Sequence, residues 1–448
     1  MGRRPLAKPA ATDGCGVAVN AAFEPRFEGA PVPRPWMRGP RDLRIDLLRG
    51  LAMAIVVVDH LPVPSHFAAL TVERIGVVTG AELFVALSGL AVGMAHRHRI
   101  ARAGWLASTS ALIRRALMLY VVVVAVALLA ALWATVPGFH GQVLTTWSDE
   151  SGRSFQVIEA RPWASPEALA GVLRMESSPW QFNIIGLYVV LLLLAPLALR
   201  ALAAGRAGWL LAGSLALHMW AVTIGVRLSD AAFETPFPLL VWQFPFVCGL
   251  VGGFRHVELT AFAGTSAGRA LRWFCVICAA VFAAYAWNNP WPVAPYRHVH
   301  PVLRLHIVPE AWFNAIYAGF FRERTWFGPG RLLNTAVLLV AALDLLRLQW
   351  LALARGLGWW ALPVGQKTLV VFVAHLALLP LVDALAPYLP ARMLAFTALH
   401  AAVLLVLWGV ARMTLRLSGR RPGPPAAKPV NRLDRASSLP PPRSPAGP

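Results

Sequence analysis

Long apolar blocks alternate with short polar connections along most of this chain. Ten of them approach the roughly 20 mostly apolar residues that a membrane-spanning helix needs, and they cover residues 45–61, 75–95, 111–135, 180–199, 207–226, 238–254, 270–288, 332–351, 367–387 and 392–411. Charged and polar residues interrupt the eighth and ninth blocks: Asp344, Arg347, His375 and Asp383. The pattern predicts an all-α, polytopic membrane protein with about ten transmembrane helices.

Composition supports the same class. The 448 residues are 57% hydrophobic and only 14% charged, whereas a soluble chain carries about 25% charged residues. Residues 1–44 are rich in Pro, Gly and Arg and lack the apolar region of a secretory signal peptide. We therefore expect the first helix to act as the signal anchor.

The distribution of Arg and Lys predicts the orientation in the membrane. The net charge of +20 is concentrated in both tails and in the connection 96–115, which is typical of positive-inside topology and not of nucleic-acid binding. Both termini are then cytoplasmic. The long connections 136–179 and 289–331 face outward and suit a vestibule for a polar substrate. We expect a basic tail at 1–40, a membrane domain at 41–412 and a disordered Pro-rich tail at 413–448.

Cysteine, histidine and glycine patterns indicate packing more than chemistry. Four cysteines form no disulfide framework, and the pair in CVIC (275–278) lies inside an apolar block, as core cysteines do. No metal site is predicted at His298, His300 and His306, because no nearby Cys or carboxylate completes a ligand set. The segments GLAVG (89–93) and GLVGG (249–253) have the small-residue spacing of closely packed membrane helices.

The first block raises a chemical question, because RGLAMAIVVVDHLP (49–62) carries ionisable groups at both ends. Eleven residues separate Arg49 from His60, so both lie on one helix face, about 16 Å apart along the axis. A buried charge is costly and faces a bundle interior or a wet cavity. His60, with a carboxylate such as Asp59 nearby, can act as a general base on an alcohol. The alternative is an interfacial histidine without a chemical role.

The second block adds two polar residues to the same region. Glu82 and Ser88 lie in GAELFVALSGLAVG (80–93), and an antiparallel pairing places Glu82 at a depth between His60 and Arg49. We predict that Glu82 is catalytic and that Ser88 and Arg49 bind substrate, although a structural Arg49–Glu82 ion pair is an alternative. Ser88 lacks the G-x-S-x-G context of an acyl-enzyme serine, which favours direct transfer assisted by the histidine.

The connection between the second and third blocks could hold the phosphates of a cytoplasmic donor. Its candidate residues for that role are Arg97, Arg99 and Arg102. Ordinary positive-inside charge is the alternative explanation.

Several segments resemble the OpgC family of membrane proteins. They are RDLRIDLLRGLAMAIVVVDHLP (41–62), GAELFVALSGLAVG (80–93), FNIIGLYVVLLLLAP (182–196), VWQFPFVCGL (241–250), WFGPGRLLN (326–334) and VGQKTLVVFVAH (364–375). The resemblance implies a multi-helix acyltransferase in the inner membrane of a bacterium that succinylates osmoregulated periplasmic glucans. Succinyl-CoA is then the co-substrate, no cofactor is tightly bound, and the partners are lipid, acyl-CoA and the glucan. The Arg-x10-His pattern of the wider superfamily falls on Arg49 and His60.

A transporter of a glycan or small anion is the second hypothesis. It would use Arg49, Glu82 and His60 as a relay. Transporters often contain internal repeats with matching broken helices, and no convincing repeat is present here.

Overall fold

The computed structural model describes residues 35–38, 41–71, 73–138, 140–148, 153–159, 161–289, 305–390 and 392–419. In these ranges the helices are α1 (Leu43–His60), α2 (Ala68–Thr71), α3 (Gly80–Ala134), α4 (Gln142–Thr145), α5 (Pro166–Leu173), α6 (Asn183–Ala203), α7 (Ala207–Ile224), α8 (Leu239–Phe254), α9 (His256–Gly264), α10 (Ser266–Ala286), α11 (Glu310–Ile316), α12 (Pro329–Leu348), α13 (Trp350–Gly356), α14 (Gly358–Gln366), α15 (Thr368–Leu385) and α16 (Met393–Gly419). Two small antiparallel hairpins pair β1 (Met37–Arg38) with β2 (Arg41–Asp42), and β3 (Thr146–Ser148) with β4 (Ser154–Gln156).

The prediction of an all-α membrane protein is confirmed. Among the described residues, six helices are long and apolar enough to cross a membrane, or eight if each of two bent pairs counts as one span. Each of the ten predicted blocks falls on a helix. The count of ten crossings nevertheless stays a prediction, because α1 is only 18 residues long and contains Arg44, Asp46, Arg49 and Asp59.

The second and third predicted blocks lie in one helix, α3, which breaks at Gly104. The backbone there has φ 79° and ψ 176°, which a glycine adopts without a steric penalty. His96 Nδ1 lies 2.7 Å from Ser108 Oγ, although 12 residues of straight helix would extend about 18 Å. The chain therefore reverses at Gly104, and α3 forms two limbs of a helical hairpin.

Glycines allow α3 and α8 to approach each other closely. A Cβ atom on Gly89 would overlap the carbonyl oxygen of Phe246, and one on Gly249 would overlap that of Ala86. Since any larger side chain would push the backbones apart, the close-packing interpretation of the two glycine motifs is confirmed. Gly365 of α14 meets the Asp46 carbonyl of α1 in the same way.

Two further expectations have clear outcomes. The predicted membrane domain ends at 412, but α16 continues to Gly419, so residues 413–419 are helical and the predicted disordered tail begins too early. The predicted tail beyond 419 and most of the tail 1–40 lie outside the described residues. Cys275 and Cys278 are free thiols that pack with Val337 on α12, as expected for core cysteines.

Candidate functional site

A large cavity opens beside the C-terminal end of α1. Its volume is about 1090 Å³. Two long connections supply much of its wall, through residues 156–159 and 176–178 of the first and 323–326 of the second. These are the connections predicted to form a vestibule, and the structure brings both to the same cavity as His60.

His60 is the last residue of α1 and lines this cavity. Its Nδ1 atom lies 3.1 Å from Nε2 of His375, and the two rings stack with centroids 5.3 Å apart. The edge of Trp180 packs against His60 at 5.3 Å, and Phe372 lies on another side of the ring at 6.4 Å. These contacts fix the imidazole in one orientation at the cavity wall.

Asp59 also lines the cavity, but it forms no hydrogen bond with His60. Consecutive residues on a helix point about 100° apart, so the two side chains leave α1 in different directions. Asp59 lies instead in the electrostatic environment of Thr71, Glu73 and Arg324. Its predicted catalytic role stays a prediction, and the contact that orients His60 comes from His375.

Arg49 lies three turns of α1 away from His60, outside the cavity lining. Its Nη2 donates to Thr368 Oγ1 at 2.8 Å, and its guanidinium lies 5.7 Å from the centre of the Phe84 ring. Tyr188 is next to both Arg49 and Ser88. The structure therefore brings the predicted substrate-binding residues Arg49 and Ser88 together around Tyr188.

Helix α15 contacts α1 at both Arg49 and His60. Arg49 contacts Thr368 and, farther along both helices, His60 contacts His375, so the two helices run in the same direction. The expectation that Arg49 and His60 share one face of α1 agrees with these contacts.

Glu82 occupies the predicted depth but faces away from His60 and Arg49. Gly80 at the start of α3 lies against Ala52 and Val56 of α1, between the two functional residues. The Glu82 carboxylate instead accepts a hydrogen bond from Arg331 Nη1 at 3.0 Å and caps α3 through the Thr79 backbone N–H. The proposed Arg49–Glu82 ion pair is therefore not formed.

Arg331 is the centre of a buried network that includes Glu82. Its side chain is 1% exposed and donates to the carbonyl of Arg322, to Glu73, to Glu82 and to the Tyr317 hydroxyl. Burial raises the pKa of Tyr317 to about 12, so the hydroxyl stays protonated and donates to Glu73. The network ties the connection after α1 to the start of α12, next to the cavity wall at 323–326.

The three arginines of the predicted donor site differ from one another. Arg97 is buried and donates to the Phe254 carbonyl and to Glu258, so a protein carboxylate already neutralises its charge. Arg99 is exposed and donates to the Ala107 carbonyl across the reversal at Gly104. Arg102 is exposed. Phosphate binding therefore stays a prediction that fits Arg99 and Arg102 better than Arg97.

The cavity lining combines aromatic, amide and acidic side chains. The aromatic rings are Trp147, Trp180, Phe237, Trp326 and Phe372, the amides are Gln156, Gln181 and Asn183, and the carboxylates are Asp59, Glu159, Glu176, Asp230 and Glu323. Two arginines, Arg227 and Arg324, also line the cavity. A bidentate pairing with Arg174 holds the pKa of Glu176 below its usual range, so this carboxylate is ionised. The lining offers flat apolar faces beside hydrogen-bond acceptors.

Several buried acceptor atoms of the cavity lining have no hydrogen-bond donor among the described residues. The Oε1 atom of Gln181, the Oδ1 atom of Asn183 and the Oδ1 atom of Asp59 are buried and accept no hydrogen bond in the described part of the chain. An unsatisfied buried acceptor costs about 1–3 kcal/mol. A ligand rich in hydroxyl donors would remove that cost.

Sequence reasoning missed several of these residues. His375 interrupts an apolar block, which signals an intramembrane function, but its pairing with His60 depends on how α15 packs. Thr368, Tyr188 and Arg331 lie far from Arg49 and Glu82 in sequence, and no local pattern joins them. Arg324 lies in an exposed loop where an arginine is ordinary.

The fold and the site together define a helical membrane protein with a cavity lined by His60 and with Arg49 on the same face of α1. The family model described as OpgC protein matches residues 41–418, so the chain belongs to the OpgC family. This family and the membrane-like helices fit a membrane acyltransferase that modifies glycans. No curated protein and no solved structure matches the chain.

Proposed function

We propose that this protein is an integral membrane O-acyltransferase that moves an acyl group from a cytoplasmic acyl-CoA to a hydroxyl group of a periplasmic glucan. One observation carries the proposal. His60 lies at the wall of a large cavity, and Arg49 lies three turns away on the same face of the same helix, outside the cavity lining. This arrangement suits a reaction whose two substrates arrive from opposite sides of the inner membrane, with both termini of the chain in the cytoplasm.

The cavity lining supports a glycan as the acceptor. The apolar faces of sugar rings pack on tryptophan, and sugar hydroxyls donate to amide and carboxylate oxygens. The volume of about 1090 Å³ is slightly larger than that of most small-molecule sites, about 300–1000 Å³, which leaves room for more than one sugar ring. The unsatisfied acceptors of Gln181 and Asn183 fit a ligand that brings hydroxyl donors.

The chemistry that we propose is a direct transfer assisted by His60. His60 Nε2 removes the hydroxyl proton while the sugar oxygen attacks the thioester carbonyl. The new C–O ester bond forms, the C–S bond breaks, and the CoA thiolate recovers the proton from the imidazolium. A positioned general base contributes about 10²–10⁴ in rate.

The donor would lie along the face of α1 that carries Arg49 and His60. Its phosphates stay near the exposed Arg99 and Arg102, and the thin pantetheine arm passes Arg49 to bring the thioester to His60. Arg49 Nε is buried without an acceptor among the described residues, so it can donate to a bound oxygen. Lipid surrounds the bundle, and acyl-CoA is a co-substrate that leaves after each turnover.

The acyl group that we propose is succinyl, and Arg324 supports it. When the thioester carbonyl is at His60, the far end of the acyl chain points into the cavity. Arg324 lines the cavity, acts electrostatically on His60 and forms no ion pair in the part of the chain that the structure describes. Its guanidinium is therefore available to a carboxylate.

Thioester consumption tests the proposal directly. Purified protein in lipid nanodiscs receives succinyl-CoA and neutral glucan, and the assay measures free thiol and the mass of the glucan. His60→Ala should lower transfer by about 10²–10⁴, whereas His66→Ala changes an exposed histidine nearby and should leave the rate unchanged. Wild-type protein that moves glucan or an anion across liposomes without consuming thioester would instead support the transporter hypothesis.

A further inference from the structure

His375 is a buried histidine with two fixed neighbours. Its side chain is 1% exposed, its Nδ1 lies 2.5 Å from the carbonyl oxygen of Phe372, and its Nε2 lies 3.1 Å from Nδ1 of His60. In the sequence it is only a polar residue that interrupts an apolar block. Its contacts, however, determine where the protons are on both rings.

The carbonyl of Phe372 can only accept a hydrogen bond. His375 must therefore carry its proton on Nδ1 and donate it to that carbonyl. A neutral imidazole has one N–H, so Nε2 of His375 is an acceptor. His60 then carries its proton on Nδ1 and donates it to His375.

We propose that His375 is a positioning residue that holds His60 in the tautomer whose Nε2 has a free lone pair. This inference rests on the proposed function, because it concerns the atom that takes the hydroxyl proton. Without His375, neutral His60 could carry its proton on Nε2, and that tautomer cannot act as a base toward the cavity. The other ring nitrogen of a functional histidine commonly has this kind of fixed partner.

The contacts of His375 also prevent it from relaying a proton away from His60. A proton taken by His60 Nε2 cannot pass through His375, because the far nitrogen of His375 already donates to a peptide carbonyl, which does not carry a proton onward. The proton therefore leaves His60 from the nitrogen that received it. The thiolate of the departing CoA is the acceptor that the reaction itself supplies, so one histidine acts first as base and then as acid.

Three substitutions at position 375 separate positioning from simple packing. Gln places a carbonyl oxygen near the position of His Nε2 and can accept from His60, whereas Asn has the same amide but stops short. Leu fills the space without an acceptor. We expect His375→Gln to retain most of the activity, and His375→Asn and His375→Leu to lower kcat by about 10–100-fold at similar KM for both substrates.

Thermal unfolding of each variant in nanodiscs distinguishes damage to the fold from a loss of His60 positioning. If Gln and Leu variants of equal stability lose the same activity, or if the loss lies mainly in KM, His375 does not act by positioning His60.

A spectroscopic measurement does not depend on activity. ¹⁵N NMR of histidine-labelled protein, assigned with His60→Ala, should show His60 protonated at Nδ1 and bare at Nε2 in the neutral wild type. The same signals in His375→Leu should show a mixture of tautomers. A His60 ring protonated at Nε2 in the wild type contradicts the inference, whether or not the protein transfers succinyl groups.

Discussion

At the scale of single residues, His60 and Arg324 differ from many other residues of their types because they line the cavity. The chain has 12 histidines and 41 Arg and Lys residues. Among the described histidines, His60 combines a cavity wall with a hydrogen-bond acceptor for its far nitrogen. Arg324 lines the cavity, whereas Arg331 is buried and forms ion pairs with Glu73 and Glu82.

Arg324 gives a prediction about acyl selectivity. Arg324→Gln removes a charge that can bind the carboxylate of a succinyl group, and a hydrogen bond to a charged group contributes about 1.5–3 kcal/mol. We expect the ratio of kcat/KM for succinyl-CoA over acetyl-CoA to fall about 10–100-fold. The acetyl-CoA reaction of the same variant serves as its control.

Other results have distinct meanings. An unchanged ratio would show that Arg324 does not contact the acyl group. A loss that depends on anionic substituents of the glucan, and not on the acyl group, would assign Arg324 to the acceptor.

At the scale of helices, glycine contacts and one buried ionic network determine how the bundle is assembled. Gly89 and Gly249 bring α3 and α8 together, and Gly365 brings α14 against α1. Arg331 joins α12 to the start of α3 and to the connection after α1. The glycine contacts and the Arg331 network both lie close to the helices that carry Arg49, Ser88 and His60. Helix packing and the geometry of the site are therefore coupled.

Glycine substitutions test the close packing. Gly249→Val places methyl groups where the backbone of Ala86 lies, and we expect a loss of stability of at least about 1–3 kcal/mol, which is typical of overpacking. Gly213→Ala on α7 meets no atom within 4 Å and is the matched control. Thermal unfolding in nanodiscs measures both variants, and equal midpoints would show that α3 and α8 can separate without cost.

The Arg331 network gives a second prediction at this scale. Arg331→Met leaves Glu73 and Glu82 buried without their cation, and such a change typically costs about 3–5 kcal/mol. Removing Glu82 as well, in Arg331→Met with Glu82→Leu, should recover part of the loss, because fewer charges remain unpaired. A double-mutant cycle on unfolding midpoints measures the coupling. Additive effects would mean that Glu82 and Arg331 do not interact, and selective loss of activity at normal stability in Glu82→Gln would favour the predicted catalytic role.

At the scale of the whole molecule, the arrangement of the connections separates two environments. The cavity is at the end of the bundle where α1 ends, and the basic reversal at Gly104 lies at the end of the first limb of α3, which runs back from that side. Exposed Arg99 and Arg102 therefore lie on the side opposite to the cavity. This polarity is the one that a two-sided acyl transfer requires.

Reporter fusions test this polarity in cells. Fusions at residues 160 and 310 should report the periplasm, because both positions lie in connections that approach the cavity side, and a fusion at residue 104 should report the cytoplasm. Phosphatase and fluorescent reporters give opposite signals on the two sides. A cytoplasmic signal at 160 or 310 would reverse the assignment of donor and acceptor sides.

Much of the fold follows from the sequence, because the cost of leaving backbone groups unpaired in lipid makes apolar blocks helical. Every predicted block falls on a helix, and the glycine motifs identify a close helix contact. The break at Gly104 and the continuation of α16 to Gly419 were not predicted, since helix ends depend on local backbone geometry and on neighbouring helices.

The candidate site also has features that the sequence predicts and features that depend on tertiary packing. The sequence by itself determined that Arg49 and His60 lie on one face of α1, because helix periodicity is a local property. Only the tertiary structure decided that Glu82 pairs with Arg331 and that Nδ1 of His60 lies within hydrogen-bond distance of Nε2 of His375. The residues of these two pairs are 249 and 315 positions apart in the sequence. Which buried polar groups meet depends on the packing of distant helices, and no periodicity within one helix encodes it.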